Sequence, residues 1–161
     1  MGREEKSETE PLKRLAAALG IEPTDALPLI DRLKDNPTCS MFFDDEVPCV
    51  TVVWKGSVTS SQLRCVHENL IHLIAAHRVS KVLGDDTALP TIDIDDQRWI
   101  LDDWMPRAAA AGLKAAASKA PDSYIARVSI DNIIQANGEN MTIRSFGDIG
   151  EARRWLREYQ V

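Results

Sequence analysis

The feature that most constrains this chain is a repeated change of hydrophobic period that starts at residue 39. Met41-Phe42-Phe43 and Cys49-Val50-Thr51-Val52-Val53-Trp54 are rich in β-branched and aromatic residues, with the polar run Asp44-Asp45-Glu46 between them. That pattern predicts a β-hairpin, closed at its far end by Gly56. Leu63, Val66, Leu70, Leu73 and His77 then follow at steps of three, four, three and four residues, the spacing of one helix face. Ser80 to Asp85 predicts a short strand. A loop over residues 86–91 precedes a helix from about Asp95 to Ala111, with Leu101, Trp104 and Ala108 on one face and Pro106 expected to kink or restart it. Gly112 ends that helix. Leu113 to Ser118 predicts a strand weakened by its alanines.

Pro121-Asp122 opens a further helix carrying Ile125, Val128, Ile133 and Ile134, stopped near Asn137-Gly138. Met141 to Phe146 alternates as a strand. Asp148-x-x-Glu151 has the form of a capping box, starting a last helix that buries Ala152, Trp155, Leu156 and Tyr159. From residue 39 the predicted order is therefore β-β-α-β-α-β-α-β-α. Strands that alternate with helices require crossover connections, so the fold class is α/β with a mixed, mostly parallel sheet and packing helices, the hairpin adding an antiparallel edge.

Residues 1–38 read as a charged tail and a short helical extension, and residues 39–161 as the α/β domain. In the extension, Leu12, Leu15, Ala16 and Leu19 form one stripe that stops at Gly20, and Leu29, Ile30 and Leu33 a second that begins near Thr24 or Asp25. A chain of 161 residues can bury a core without disulfides or a structural metal. Its 19 Lys and Arg against 25 Asp and Glu give a net charge of -6, which argues against a nucleic-acid partner. The three cysteines, Cys39, Cys49 and Cys65, contain no C-x-x-C pair. Met1 to Glu10 is charged without an apolar region, and the longest apolar stretch, Leu70 to Ala76, is interrupted by His72 and far too short for a membrane span. These features predict a cytoplasmic protein.

Several punctuating residues stand in a telling order. They are Trp54-x-Gly56, Val82-Leu83-Gly84-Asp85-Asp86, Trp99 before Pro106, Ala111-Gly112-Leu113-Lys114, and Phe146-x-Asp148 followed by Glu151-Ala152-x-x-Trp155-Leu156. In order and spacing this set resembles the STAS/SpoIIAA-like (STAS/SEC14-like) bacterial domain family over about residues 40–160. The resemblance implies a non-enzymatic regulatory or protein-interaction module without a cofactor. Anti-sigma-factor antagonists of that kind bind a partner kinase and are switched by phosphorylation of a Ser or Thr at the start of the helix after the third strand. Here the first hydroxyls in that region are Thr87 and Thr91, outside the usual Asp-x-Ser context, and they are the candidate switch residues. The SEC14-like name implies an apolar ligand.

Read from the residues alone, the candidate ligand or partner face is Asp85, Asp86, Trp99 and Trp104. Asp85, Asp86, Asp93 and Asp95 would suit a hard cation if they converged, but Asp93 to Asp96 also read as the capped, acidic start of a helix. His67, His72 and His77 recur every five residues, each step turning about 140° around a helix, so they share no metal. Cys65 and His67 face opposite ways and form no activated pair, and Cys65 reads as a small buried or half-buried thiol. The tryptophans are expected to pack the core, with Trp99 or Trp104 free to line an apolar pocket or a homodimer face. Arg153, Arg154 and Arg157 read as a solvated basic face. The sequence thus supports two expectations, a partner-binding module and a small binding protein for an apolar or amphipathic ligand. Neither involves catalysis or a metal.

Overall fold

Residues 37–161 are described by a computed structural model, and the two expected N-terminal helices lie outside those residues. Strands β1 (Cys39–Asp44) and β2 (Cys49–Trp54) form the antiparallel hairpin, with Cys39 opposite Trp54 and Asp44 opposite Cys49. The Asp44 carboxylate accepts hydrogen bonds from the Glu46 and Val47 amides and so shapes the turn. Strands β3 (Lys81–Asp85), β4 (Ala115–Lys119) and β5 (Thr142–Phe146) add in parallel, giving the sheet order β1-β2-β3-β4-β5.

Helix α1 (Ser60–His77) links β2 to β3. Its cap is reciprocal, since the Thr59 hydroxyl accepts from the Gln62 amide while the Gln62 side chain accepts from the Thr59 amide. Between β3 and β4 the expected single helix is three pieces. These are α2 (Ile94–Trp99), a π-helical turn (Ile100–Trp104) and α3 (Met105–Ala111), with Pro106 in the first turn of α3. Proline has no N–H to donate and crowds the preceding turn, and the π turn absorbs both effects, the Met105 amide reaching back to the Ile100 carbonyl. The extra residue in that turn rotates the buried face, so that Ile100, Trp104, Met105 and Ala108 are buried and Leu101 only partly so.

Gly112, at φ +120°, lets the chain leave α3, and the Leu113 amide bonds back to the Ala108 carbonyl. Leu113 therefore belongs to the helix exit, and β4 starts two residues later than the alternation suggested. Helix α4 (Tyr124–Asn137) buries Ala126, Ser129, Ile133 and Asn137. Ile125 and Val128, carried on the helix as expected, are exposed because the buried stripe passes one position beyond each of them. Helix α5 (Ile149–Glu158) starts at Asp148, whose carboxylate accepts from the Glu151 amide as the motif implied.

Each strand lies beside its neighbour in sequence, so right-handed crossovers place α1 to α4 on one face of the sheet. Val50, Val52 and Trp54 point to that face and join Leu63, Val66, Leu70, Leu73, Ile100 and Trp104 in the larger core. The residues of opposite parity, Cys49, Leu83, Ala115 and Ala117, join Ala152 and Leu156 of α5 on the other face. Arg153 of α5 is not part of a free basic face. It spans to the hairpin turn, pairing with Asp44 at 2.9 Å and Glu46 at 2.7 Å. Cys39 and Cys49 are buried, whereas Cys65 is exposed, contrary to expectation, because it lies off the stripe that α1 turns to the sheet.

Candidate functional site

On the side covered by α1 to α4, the layer between sheet and helices is incompletely filled. A partly open cavity of about 150 Å³ lies there, its sheet wall formed by Val52, Trp54, Val82, Gly84 and Ala116. Ile100 and Trp104 of the π turn and Ile130, Ile133 and Ile134 of α4 form the opposite wall. An engineered apolar cavity of about this volume holds a benzene-sized molecule.

Asp86, His67 and Ser118 interrupt the apolar lining. Asp86 follows β3 directly, at the carboxyl end of the parallel strands, where open α/β sheets place their ligands. Its backbone is pinned, the amide bonding to the Lys119 carbonyl and its own carbonyl accepting from the Leu89 amide. The residue is 7% exposed, and the Ser118 hydroxyl and the Trp54 indole N–H lie beside its carboxyl as neutral donors. Burial opposes ionisation and the neighbouring Asp85 adds to it, whereas the Ser118 and Trp54 donors act the other way. The Asp86 carboxyl is pushed up to about 7. Gly84 makes room for it, since a Cβ there would lie 3.0 Å from the Asp86 carboxylate oxygen.

His67 sits on the α1 stripe between Leu63 and Leu70. Its Nδ1 is 2.8 Å from the Leu63 carbonyl oxygen, which can only accept, so the proton is on Nδ1 and Nε2 is left as an acceptor. Burial lowers its pKa and keeps the ring neutral. Three tryptophans surround it, with ring centroids at 6.1 Å for Trp54, 6.0 Å for Trp99 and 4.9 Å for Trp104. The Trp104 indole N–H donates to the His67 carbonyl at 2.6 Å, which ties the π turn to α1.

Of the four residues expected to share a face, two are brought together. Asp86 and Trp104 line the cavity. Trp99 stands behind His67, covered by the Arg64 guanidinium at 5.1 Å. Asp85 is used locally, accepting from the Thr87 amide at 3.1 Å and from the Thr87 hydroxyl. Of the two candidate switch hydroxyls, Thr87 is thus half-buried and engaged with a carboxylate, and Thr91 is exposed.

The acidic run does not converge. Asp93 caps α2 by accepting from the Asp96 amide, and Asp96 is buried against the Ser60 hydroxyl at 2.7 Å and Arg64 at 2.9 Å. Among the described residues no group of three His, Cys, Asp or Glu side chains is placed to hold a metal ion. Trp54, His67, Gly84 and Ser118 were not anticipated as site residues. A signal for His67 was present, since it falls four residues after Leu63 and three before Leu70 on the buried stripe.

Among the described residues no helix is long and apolar enough to cross a membrane. No protein-family model, curated protein or solved structure matches the chain.

Proposed function

We propose that this chain is a non-enzymatic binding protein of the STAS/SpoIIAA-like kind that holds a small apolar or amphipathic molecule between its sheet and the helices α1 to α4. The observation that carries this reading is the cavity itself, walled by isoleucines and tryptophans with a single buried carboxyl, Asp86, at the strand ends. Such a site is largely preformed, apolar, and provided with a few polar groups that orient a ligand. Trp54 and Trp104 line it, so occupancy changes tryptophan emission. Native mass spectrometry of gently purified protein is expected to show a bound small molecule, and Ala116→Leu, which projects into the cavity, is expected to remove it. A bare native mass, together with unchanged emission on titration with toluene, would defeat the proposal.

A second reading, a regulatory module that docks on a protein or on a second copy of itself, is favoured by one surface. Tyr124 and Ile125 on α4 are 72% and 65% exposed, and Val128 adjoins them. Light scattering that gives a dimer for the native chain and a monomer for Ile125→Asp would support it. A phosphate located on Thr87 or Thr91 in the denatured mass would support the switch that the family resemblance implies. At Thr87 that phosphate would displace the hydrogen bond to Asp85 and repel its carboxylate.

A further inference from the structure

Resting on the cavity reading above, we infer that the ligand is a small organic cation, an ammonium group on a compact apolar body, with Asp86 as its counter-ion. Three placements support this. Asp86 is the one carboxyl among the residues lining the cavity, and the polar groups beside it, the Ser118 hydroxyl and the Trp54 indole, are neutral donors that leave acceptor positions open. Trp54 and Trp104 line the same cavity beside the neutral His67 ring, and indole faces attract a desolvated cation. The remaining wall is aliphatic, which suits the hydrocarbon part of such a molecule.

The charges facing Asp86 from each neighbouring element are few. Asp85 of β3 is negative, and Lys119 of β4 is held by Asp122 at 2.8 Å. His67 of α1 is neutral, while the π turn and α4 contribute only Ile100, Trp104, Ile130, Ile133 and Ile134 to the lining. An ionised Asp86 therefore has no dedicated cation, and burial, with the neighbouring Asp85 adding to it, holds its carboxyl near 7. A ligand ammonium supplies the missing charge, so its binding competes with a proton. Anionic ligands are disfavoured by the same arrangement.

The test compares three probes of similar size, namely benzylamine, benzyl alcohol and toluene, titrated against the full chain by tryptophan emission and calorimetry. Benzylamine is expected to bind most tightly at pH 8 and to weaken roughly 30-fold at pH 5.5 as Asp86 takes a proton, whereas toluene is unaffected by pH. Asp86→Asn is expected to abolish the preference for benzylamine and its pH dependence while leaving toluene bound, and that retained binding reports an intact cavity. Should Asp86→Asn fail to fold, the pH series on the native chain gives the same answer. Benzylamine binding no tighter than toluene at pH 8 overturns the cation assignment and leaves the cavity reading standing. Failure of all three probes to bind overturns both.

Discussion

The two faces of the sheet are made by the same strands and differ in how they are filled. On the α5 side, Ala115 and Ala117 are 0% and 2% exposed and α5 presses on them through Ala152 and Leu156, which are completely buried. On the α1 to α4 side, larger residues meet across the layer, and the bulk of Trp54, Trp104 and the isoleucines leaves a cavity among them. Small side chains let a helix approach until no void remains, whereas large ones set the spacing by their longest members and leave gaps between them. The face with the bulkier residues is therefore the one with space for a ligand.

The largest way to break this contrast is through protons. Asp86 sits at about 7 in the folded chain against an unfolded value near 3.8. Because the folded state holds its proton more tightly, the protein gains relative stability below the unfolded value, loses it as pH rises from about 4 to 7, and changes little above 7 through this group. The full difference is about 4 kcal/mol, before any relaxation around the charge. Urea midpoints at pH 5 and pH 8 should show this slope in the native chain and its absence in Asp86→Asn. Among the described residues the α5 face contributes no comparable carboxyl. At the rim of that face, Asp44 is held below the ordinary carboxylate range, chiefly by its hydrogen bond with Arg153, and it loses stability only in more acidic solution.

The next test places the same side chain on each face of one strand. Ala115→Leu pushes into α5 and is expected to cost about 1–3 kcal/mol by overpacking, while Ala116→Leu enters the cavity and costs less than about 1 kcal/mol. Equal losses in thermal or urea denaturation would show that the two faces are packed alike. The smallest effect compares the caps. Thr59→Ala at α1 and Asp148→Ala at α5 should each cost about 1 kcal/mol, with ligand binding weakened only by the former, since α1 carries His67.

Much of the architecture could be read from the residues. Strand alternation, the α1 stripe and the Asp148 cap are local, and local chemistry decides them. The errors arise where one element answers to another. The placement of Pro106 suggested a kink, but the π turn that accommodates it is set by the packing of Ile100 and Trp104 against the sheet. Ile125 and Val128 are apolar at near-helical spacing, yet the buried stripe of α4 is chosen by small residues, Ala126 and Ser129, the latter accepting from the Ile92 amide. Half of the expected site face, Asp86 and Trp104, lines the cavity. Trp54, His67 and Ser118 arrive from three different elements, and no spacing along the chain links them.

The sequential strand order also carries a consequence for how the chain acquires its structure. Because each strand pairs with the one before it, the sheet can lengthen in the direction of synthesis without waiting for a distant segment. The face covered by α5 is the exception. Cys49, Leu83, Ala115 and Ala117 are in place long before Ala152 and Leu156 emerge, so an apolar band stays wet until the final helix closes over it. A nascent chain that stalls before Ile149 would present that band to chaperones, and the emergence of α5 is the step that covers it.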